Sequence, residues 1–286
     1  MMPPKPRPLS IRLPRRKRVT IIAGFQCSDG ILMCSDTEES VSEDSKSQMR
    51  KVPFFRLSGM SVAIGGAGDG ALIEYIIQDL VKQLSTRPFD WTTAEKWFDN
   101  YARTIFNRHM RPYTGLPREL FPDVSFLIAV VMDGESRLFK WERNFAYVVP
   151  PMKHESIGIG TIQSQELLSE IKFSLPFSRM LLFAVRVMQK VKQLVRGCGG
   201  KTEVSFMDCS GDWILELGVF AVDDMEHMVA MIDEFITNYA LTFIANPEAL
   251  SETSIDSALA AQRKAILTLR NMWIKLLPQQ PERSKQ

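Results

Sequence analysis

Residues 19–36, VTIIAGFQCSDGILMCSD, decide the fold. Two apolar runs with period-two alternation flank Ser28-Asp29-Gly30, and Asp-Gly between such runs is a strong local signal for a β-hairpin. Ile21, Ala23 and Phe25 share one face of the first strand, while Thr20, Ile22, Gly24 and Gln26 share the other. A threonine therefore opens one strand and Asp36 closes its returning neighbour. A threonine at a strand start is by itself ordinary β-propensity, so the reading depends on what surrounds it.

Working outward, residues 37–50 form a polar, Ser/Glu-rich loop. Residues 51–57 and 60–64 read as an antiparallel pair turning at Ser58-Gly59, after which the glycines of 65–70 break the alternation. Ala71, Leu72, Tyr75, Ile76, Leu80 and Leu84 then keep helical spacing to about Ser85. A second helix runs from about Thr92 to Met110, with Thr92 as N-cap and Glu95 three residues on as a capping box. After a loop holding three prolines, strands are expected at 124–132, 137–142, 145–149 and 155–158, and helices at 164–173 and 177–195. A strand pair at 202–208 and 213–220 follows, turning at Ser210-Gly211-Asp212, and then helices at 225–244 and 254–277. This order suits an α+β fold of two antiparallel sheets packed face to face with helices outside. It divides the chain into a basic, Pro/Arg-rich leader (1–18) expected to be disordered, one domain (19–250) and a C-terminal helical extension (251–286).

Composition narrows the function. The chain has 286 residues, which suits one large domain or two small ones, and 45% hydrophobic content, enough for a sizeable core. Its formal charge is +2, but residues 1–18 carry seven basic and no acidic residues; taking these seven away leaves −5 for the rest. The body is thus mildly acidic, whereas a nucleic-acid-binding domain is expected to be basic as a whole or along one face, and the leader has no aromatics for stacking on bases, so a nucleic-acid partner is not expected. Cys27, Cys34, Cys198 and Cys209 show no CxxC spacing and read as reduced, mostly buried thiols of a cytoplasmic protein. His109, His154 and His227 are far apart and no HExxH occurs, so no metal site is expected. The longest apolar run, 124–132, is too short to span a bilayer. Gly66, Gly68 and Ala71 satisfy GxGxxA, a dinucleotide fingerprint that needs a parallel βαβ unit; the hairpins and paired helices here do not provide one.

Thr20 heading the hairpin, Asp36 ending it, Lys51 opening the next strand and Gly65 preceding the first helix resemble the start of the proteasome-type N-terminal nucleophile hydrolases, the proteasome β subunits and their bacterial relatives. The similarity covers roughly residues 19–220, with one residue fewer than usual before the lysine. It implies a four-layer αββα sandwich and a threonine-type hydrolase of peptide or protein substrates that works without a cofactor or metal in rings or stacked helices of its own copies. It also implies roles for the four residues. The α-amino group of a terminal Thr20 would take the proton of its own hydroxyl, Lys51 would favour the alkoxide, Asp36 would hold the ammonium, and the Gly65 N–H would receive the oxyanion. Val19 stands where the family places a glycine. Either cleavage after Val19 still occurs, or translation starts there and the initiator methionine is trimmed.

The second half departs from that pattern. The positions that support the nucleophile in the family correspond here to Gly158-Ile159-Gly160 and to Val195-Arg196-Gly197-Cys198-Gly199-Gly200. Ile159 and Val195 cannot hydrogen-bond an amine, which leaves Thr161, Ser156 and, weakly, Cys198 as replacements. Cys198 has no apparent base of its own and reads as a buried thiol. An alternative class is therefore a catalytically silent proteasome-like subunit that assembles through its C-terminal helix. Asp36 with Lys51 would then be a plain salt bridge, and Gly65 a turn glycine.

Overall fold

In the computed structural model the described residues are 17–18, 20–40, 46–48, 50–86, 89–115, 117, 121–150, 153–172, 174–211 and 214–245, with helical positions at 256–257, 260, 263–264, 267–268 and 271. A two-residue strand β1 (Lys17–Arg18) precedes the hairpin β2 (Ile21–Cys27) and β3 (Gly30–Asp36), which is followed by a small hairpin, β4 (Glu38–Ser40) and β5 (Lys46–Gln48). Then come β6 (Phe54–Leu57), β7 (Met60–Asp69) and helices α1 (Gly70–Thr86) and α2 (Ala94–Ile105). Strands β8 (Val124–Met132), β9 (Glu135–Glu142), β10 (Phe145–Val148) and β11 (Glu155–Gly158) follow, then α3 (Thr161–Leu168), α4 (Phe177–Leu194), β12 (Thr202–Asp208), β13 (Ile214–Leu217) and α5 (Val219–Ala245). Among the described residues no helix is long and apolar enough to cross a membrane.

Among the described residues every strand pair is antiparallel. One sheet runs β1-β7-β8-β9-β10 with β6 also on β7, and the other runs β11-β2-β3-β12-β13. The alternation read from β2 decides how they stack. Ile22 points between the sheets, where it meets Val52, Leu127, Ala129 and Leu138. Ile21, Ala23 and Phe25 point the other way, into a core shared with α4 and α5 through Met180, Val185, Met188 and Val222. On the far side β7, β8 and β9 bury Ile64, Phe126 and Trp141 against Ile76 and Leu80 of α1 and Phe98 of α2. The layers are thus helices, sheet, sheet, helices, the sandwich expected from the order of elements. Each fully buried side chain of this kind contributes about 2 kcal/mol.

The rim of the sheet stack is closed by charge. Lys140 of β9 is 3% exposed and bonds to Glu155 of β11 at 2.9 Å and to Glu142 at 3.0 Å. Burial opposes its charge, but the two carboxylates outweigh that and raise its pKa. Glu155 belongs to the opposite sheet, so this bond ties the sheets together.

Several expectations are corrected. The leader is not wholly without structure, since Lys17 and Arg18 pair with Asp69 and Gly68; residues 1–16 lie outside the described residues. The 37–50 loop contains the β4–β5 hairpin. The glycines after Ile64 do not end their strand: β7 continues to Asp69, paired with β8 throughout. Glycine carries no hydropathy signal, and Gly66 serves close packing here, because a Cβ on it would lie 2.5 Å from Ile73 of α1 and 3.0 Å from Phe126. Gly66 and Gly68 therefore sit inside an antiparallel ladder, not in a βα turn. The capping box at Thr92 does not form, as Asp90 accepts the Thr92 N–H at 3.1 Å and α2 starts only at Ala94. The helix expected at 164–173 starts earlier, at Thr161, and α5 starts at Val219. Most of the predicted 254–277 helix lies outside the described residues.

His154 supplies a test of the fold. It is 7% exposed, its Nδ1 accepts the Gln26 N–H at 3.3 Å, and its Nε2 is buried with no partner among the described residues. Burial lowers its pKa from 6.5 to about 4, so the folded state binds the proton later than the unfolded one. Its contribution is complete above pH 6.5 and is lost as the pH falls to 4, a loss of roughly 3 kcal/mol. Urea unfolding at pH 7.5 and pH 4 checks this: His154→Gln, which keeps an acceptor without titrating, should lose less stability than wild type over that interval, and parallel losses would contradict the assignment.

Candidate active site

The hairpin register brings its two ends together. Ile22 pairs with Ser35, so Thr20, just before β2, lies beside Asp36, the last residue of β3. The turn that fixes this register is Ser28-Asp29, with Gly30 already paired to Cys27. Asp29 also accepts the Phe177 N–H at 2.8 Å, which ties the turn to the start of α4. Lys51 enters from the chain leading into β6.

These three side chains meet on one atom. Thr20 Oγ1 donates to Asp36 Oδ1 at 2.5 Å, and Lys51 Nζ donates to the same oxygen at 2.8 Å. The Ile21 N–H adds a third bond to it at 3.1 Å. Asp36 Oδ2 accepts the Gly199 N–H at 3.1 Å. Thr20, Asp36 and Lys51 are each 0% exposed. A carboxylate taken wholly out of water is tolerated only when its lone pairs are met by donors and its charge by a cation, and Asp36 has both. Lys51 Nζ is further fixed by the Glu38 carbonyl at 2.5 Å.

Gly65 lies against Ile22 and Val52, which are close in sequence to Thr20 and Lys51; a Cβ on it would come within 2.8 Å of the Ile22 side chain. Its N–H, however, is turned away. Ile64 donates its N–H to the Pro53 carbonyl at 3.1 Å, on the β6 side. Amide groups alternate sides along a strand, so the Gly65 N–H faces its partner Leu127 on β8. The Gly66 N–H faces the edge along which β1 pairs. Asp69, which donates to the Asp123 carbonyl at 2.9 Å, keeps the same alternation. The N–H directed towards that edge, between the stretches of β7 paired with β6 and with β1, thus belongs to the Gly65–Gly66 peptide, one residue beyond the expected donor.

The 158–160 turn grips Thr20 by its backbone. The Ile159 N–H donates to the Thr20 carbonyl at 3.0 Å. Gly158 has φ of +102°, and a Cβ on it would lie 2.0 Å from that same carbonyl oxygen, so only glycine fits. The hydroxyls proposed as replacements are committed elsewhere. Ser156 Oγ is bonded to Ser164 Oγ at 2.6 Å, and Thr161 Oγ1 donates to the Gly158 carbonyl at 2.7 Å. Cys198 is 6% exposed, and burial, with the charge of Asp36 adding to it, pushes its thiol up to about 12. Its environment thus disfavours the thiolate, as in a structural buried thiol. Among the described residues no group of three His, Cys, Asp or Glu is arranged to hold a metal.

The Gly199 N–H, the Ile21 N–H and the Glu38 carbonyl are part of the site and were missed from the sequence. All three are backbone groups, which residue type does not announce. The Gly-Gly pair at 199–200 was the one available signal. A Cβ on Gly199 would lie 2.7 Å from the Glu38 carboxylate, so the glycine lets that side chain lie close against the loop.

Comparison with solved structures places this fold beside the Anbu (ancestral β-subunit) proteins. Anbu from Yersinia bercovieri matches with a TM-score of 0.59 and 16% identity over 81% of this chain and 100% of that one. A Gly-1 mutant of Anbu from Hyphomicrobium sp. strain MC1 gives 0.62 at 12% identity over 77% and 96%. The Pseudomonas aeruginosa chain, described as a helical assembly of the Anbu complex, gives 0.57 at 14% identity over 92% and 99%. At these identities the likeness is one of fold. No family model and no curated protein matches the chain.

The buried pair can be tested by stability alone. Lys51→Met leaves Asp36 in the interior without its cation and should cost about 3–5 kcal/mol. Adding Asp36→Asn should recover part of that loss in chemical denaturation. A double variant as unstable as the sum of the two singles would show that the residues do not act as a pair.

Proposed function

We propose that this chain is a threonine-type N-terminal nucleophile hydrolase of the proteasome kind, cleaving peptide or other amide bonds of peptide or protein substrates. The observation that carries the reading is the convergence of Thr20 Oγ1 and Lys51 Nζ on one oxygen of a fully buried Asp36. A plain salt bridge needs no threonine, whereas a threonine nucleophile needs both a cation beside it and a fixed orientation.

A threonine hydroxyl is a weak nucleophile at neutral pH and needs an adjacent base. Once residue 20 is the first of the chain, its α-amino group, with a pKa of about 7.7–8.0, takes the hydroxyl proton directly or through a water. Thr20 Oγ1 then bonds to the substrate carbonyl carbon and the carbonyl electron pair moves to oxygen. Lys51 lowers the energy of the negative charge on Oγ1, held in place by Asp36 and the Glu38 carbonyl. The N–H of the Gly65–Gly66 peptide is the donor we assign to the oxyanion; losing such a donor typically costs about 3–4 kcal/mol in the barrier. Collapse expels the amine, which leaves with the proton, and water releases the acyl group from Thr20. While the 19–20 peptide is intact, the nitrogen of Thr20 is an amide and no base is present.

We further infer that the working form is a homo-oligomer, supported by the helical assembly described for the Pseudomonas aeruginosa chain. Four free cysteines, three of them buried, fit a reducing, cytoplasmic setting.

Turnover of a fluorogenic peptide panel by protein that begins at residue 20 tests the reading. Thr20→Ala should lower kcat by roughly 10⁴-fold or more, by analogy with loss of other nucleophiles, while Thr20→Ser should keep measurable activity. Equal turnover by wild type and Thr20→Ala, or none by either, would contradict it.

A further inference from the structure

The Gly199 N–H is the only bond seen on Asp36 Oδ2 among the described residues, so whatever fixes the 199–201 loop fixes the orientation of that carboxylate. One side of the loop is held by the chain that follows Asp36. Thr37 N–H donates to the Lys201 carbonyl at 2.9 Å, Lys201 N–H to Thr37 Oγ1 at 2.9 Å, and Glu38 N–H to the Gly199 carbonyl at 3.3 Å. The other side is held by charge. Lys192, in the last turn of α4, donates to the Gly200 carbonyl at 3.2 Å and to Glu226 Oε2 of α5 at 2.6 Å. Glu226 Oε1 accepts the hydroxyl of Thr202, whose Cα partner in the β3–β12 ladder is Asp36 itself. Lys192 and Glu226 are about one-eighth exposed (12% and 13%), so their pair is little weakened by solvent.

We propose that Lys192 and Glu226 are positioning residues for the active site. Two outer helices use this ion pair as a buttress, pressing the Gly199–Lys201 segment onto Asp36 so that its carboxylate presents Oδ1 to Thr20 and Lys51. The pair touches neither nucleophile nor substrate. Its effect on turnover rests on the hydrolase reading above, but its effect on the loop does not.

Cys198 provides a reporter that is independent of activity. Both it and Cys27 lie in the helix-side core, Cys198 (6% exposed) adjoining Gly199 and Cys27 (7% exposed) at the other end of β2, so faster labelling of Cys198 alone reports a local opening of the loop, and faster labelling of both reports opening of that core. The experiment is site-resolved alkylation with iodoacetamide, read by peptide mass mapping, on wild type, Lys192→Met, Lys192→Arg and Glu226→Gln. Lys192→Met and Glu226→Gln should label Cys198 at least about tenfold faster, since a hydrogen bond to a charged group is lost, with Cys27 unchanged. Lys192→Arg, which keeps the charge and the donors, should label as wild type does. Unchanged Cys198 labelling, or Cys27 rising in parallel with it, would overturn the proposal whether or not the protein is an enzyme. On a Thr20-dependent substrate the first two variants should lose roughly tenfold in kcat with KM within twofold, and Lys192→Arg should restore it. An equal loss in Lys192→Arg would likewise overturn it.

Discussion

A carboxylate cut off from water is the constraint around which this protein is arranged. Asp36 has no exposed surface, and an isolated charge in that position would cost several kcal/mol. Its four bonds come from three separate parts of the chain: the start of β2 with the residue before it, the lysine ahead of β6, and the loop between α4 and β12. None of the three can shift alone without leaving a buried charge or a buried donor unmet. The fold and the candidate site are therefore one arrangement, since the sheet register that buries the core also closes this polar cluster.

The glycines near the cluster follow from the same crowding. Gly158 gives way to the Thr20 carbonyl, where backbone must come close to backbone, and Gly199 leaves room for the Glu38 carboxylate. Their loops offer N–H groups where the sequence has no polar side chain to give. Neither loop replaces the side-chain contact to the Thr20 nitrogen that Ile159 and Val195 lack; each acts on a neighbouring acceptor instead. The 158–160 turn acts through the Ile159 amide, and the 195–200 segment through that of Gly199.

The hairpin was legible because period-two alternation and a two-residue turn are local properties of the chain. The pairing of Asp36 with Lys51 was legible through their spacing from Thr20 and the resemblance it carries. What could not be read is of one kind. The extension of β7 through Gly66 and Gly68, the pairing of Lys17 and Arg18 with its edge, and the Glu38 carbonyl on Lys51 are all matters of backbone geometry, and an amide looks the same in every residue. The shift of the edge-facing N–H from Gly65 to Gly66 belongs with them, since it depends on which strand Ile64 pairs with. The capping box at Thr92 failed for a local reason: Asp90, two residues earlier, competes for the same amide.

The leader gives this account a chemical condition. With residues before Thr20 still attached, the hydroxyl is oriented and the cation is in place, but the nitrogen that would serve as base is tied up in a peptide bond. The most direct measurement is the intact mass of the active protein purified from its native host, together with the identity of its first residue. The account predicts a chain beginning at Thr20 with a free α-amino group. An active protein that retains residues 1–19 would contradict it.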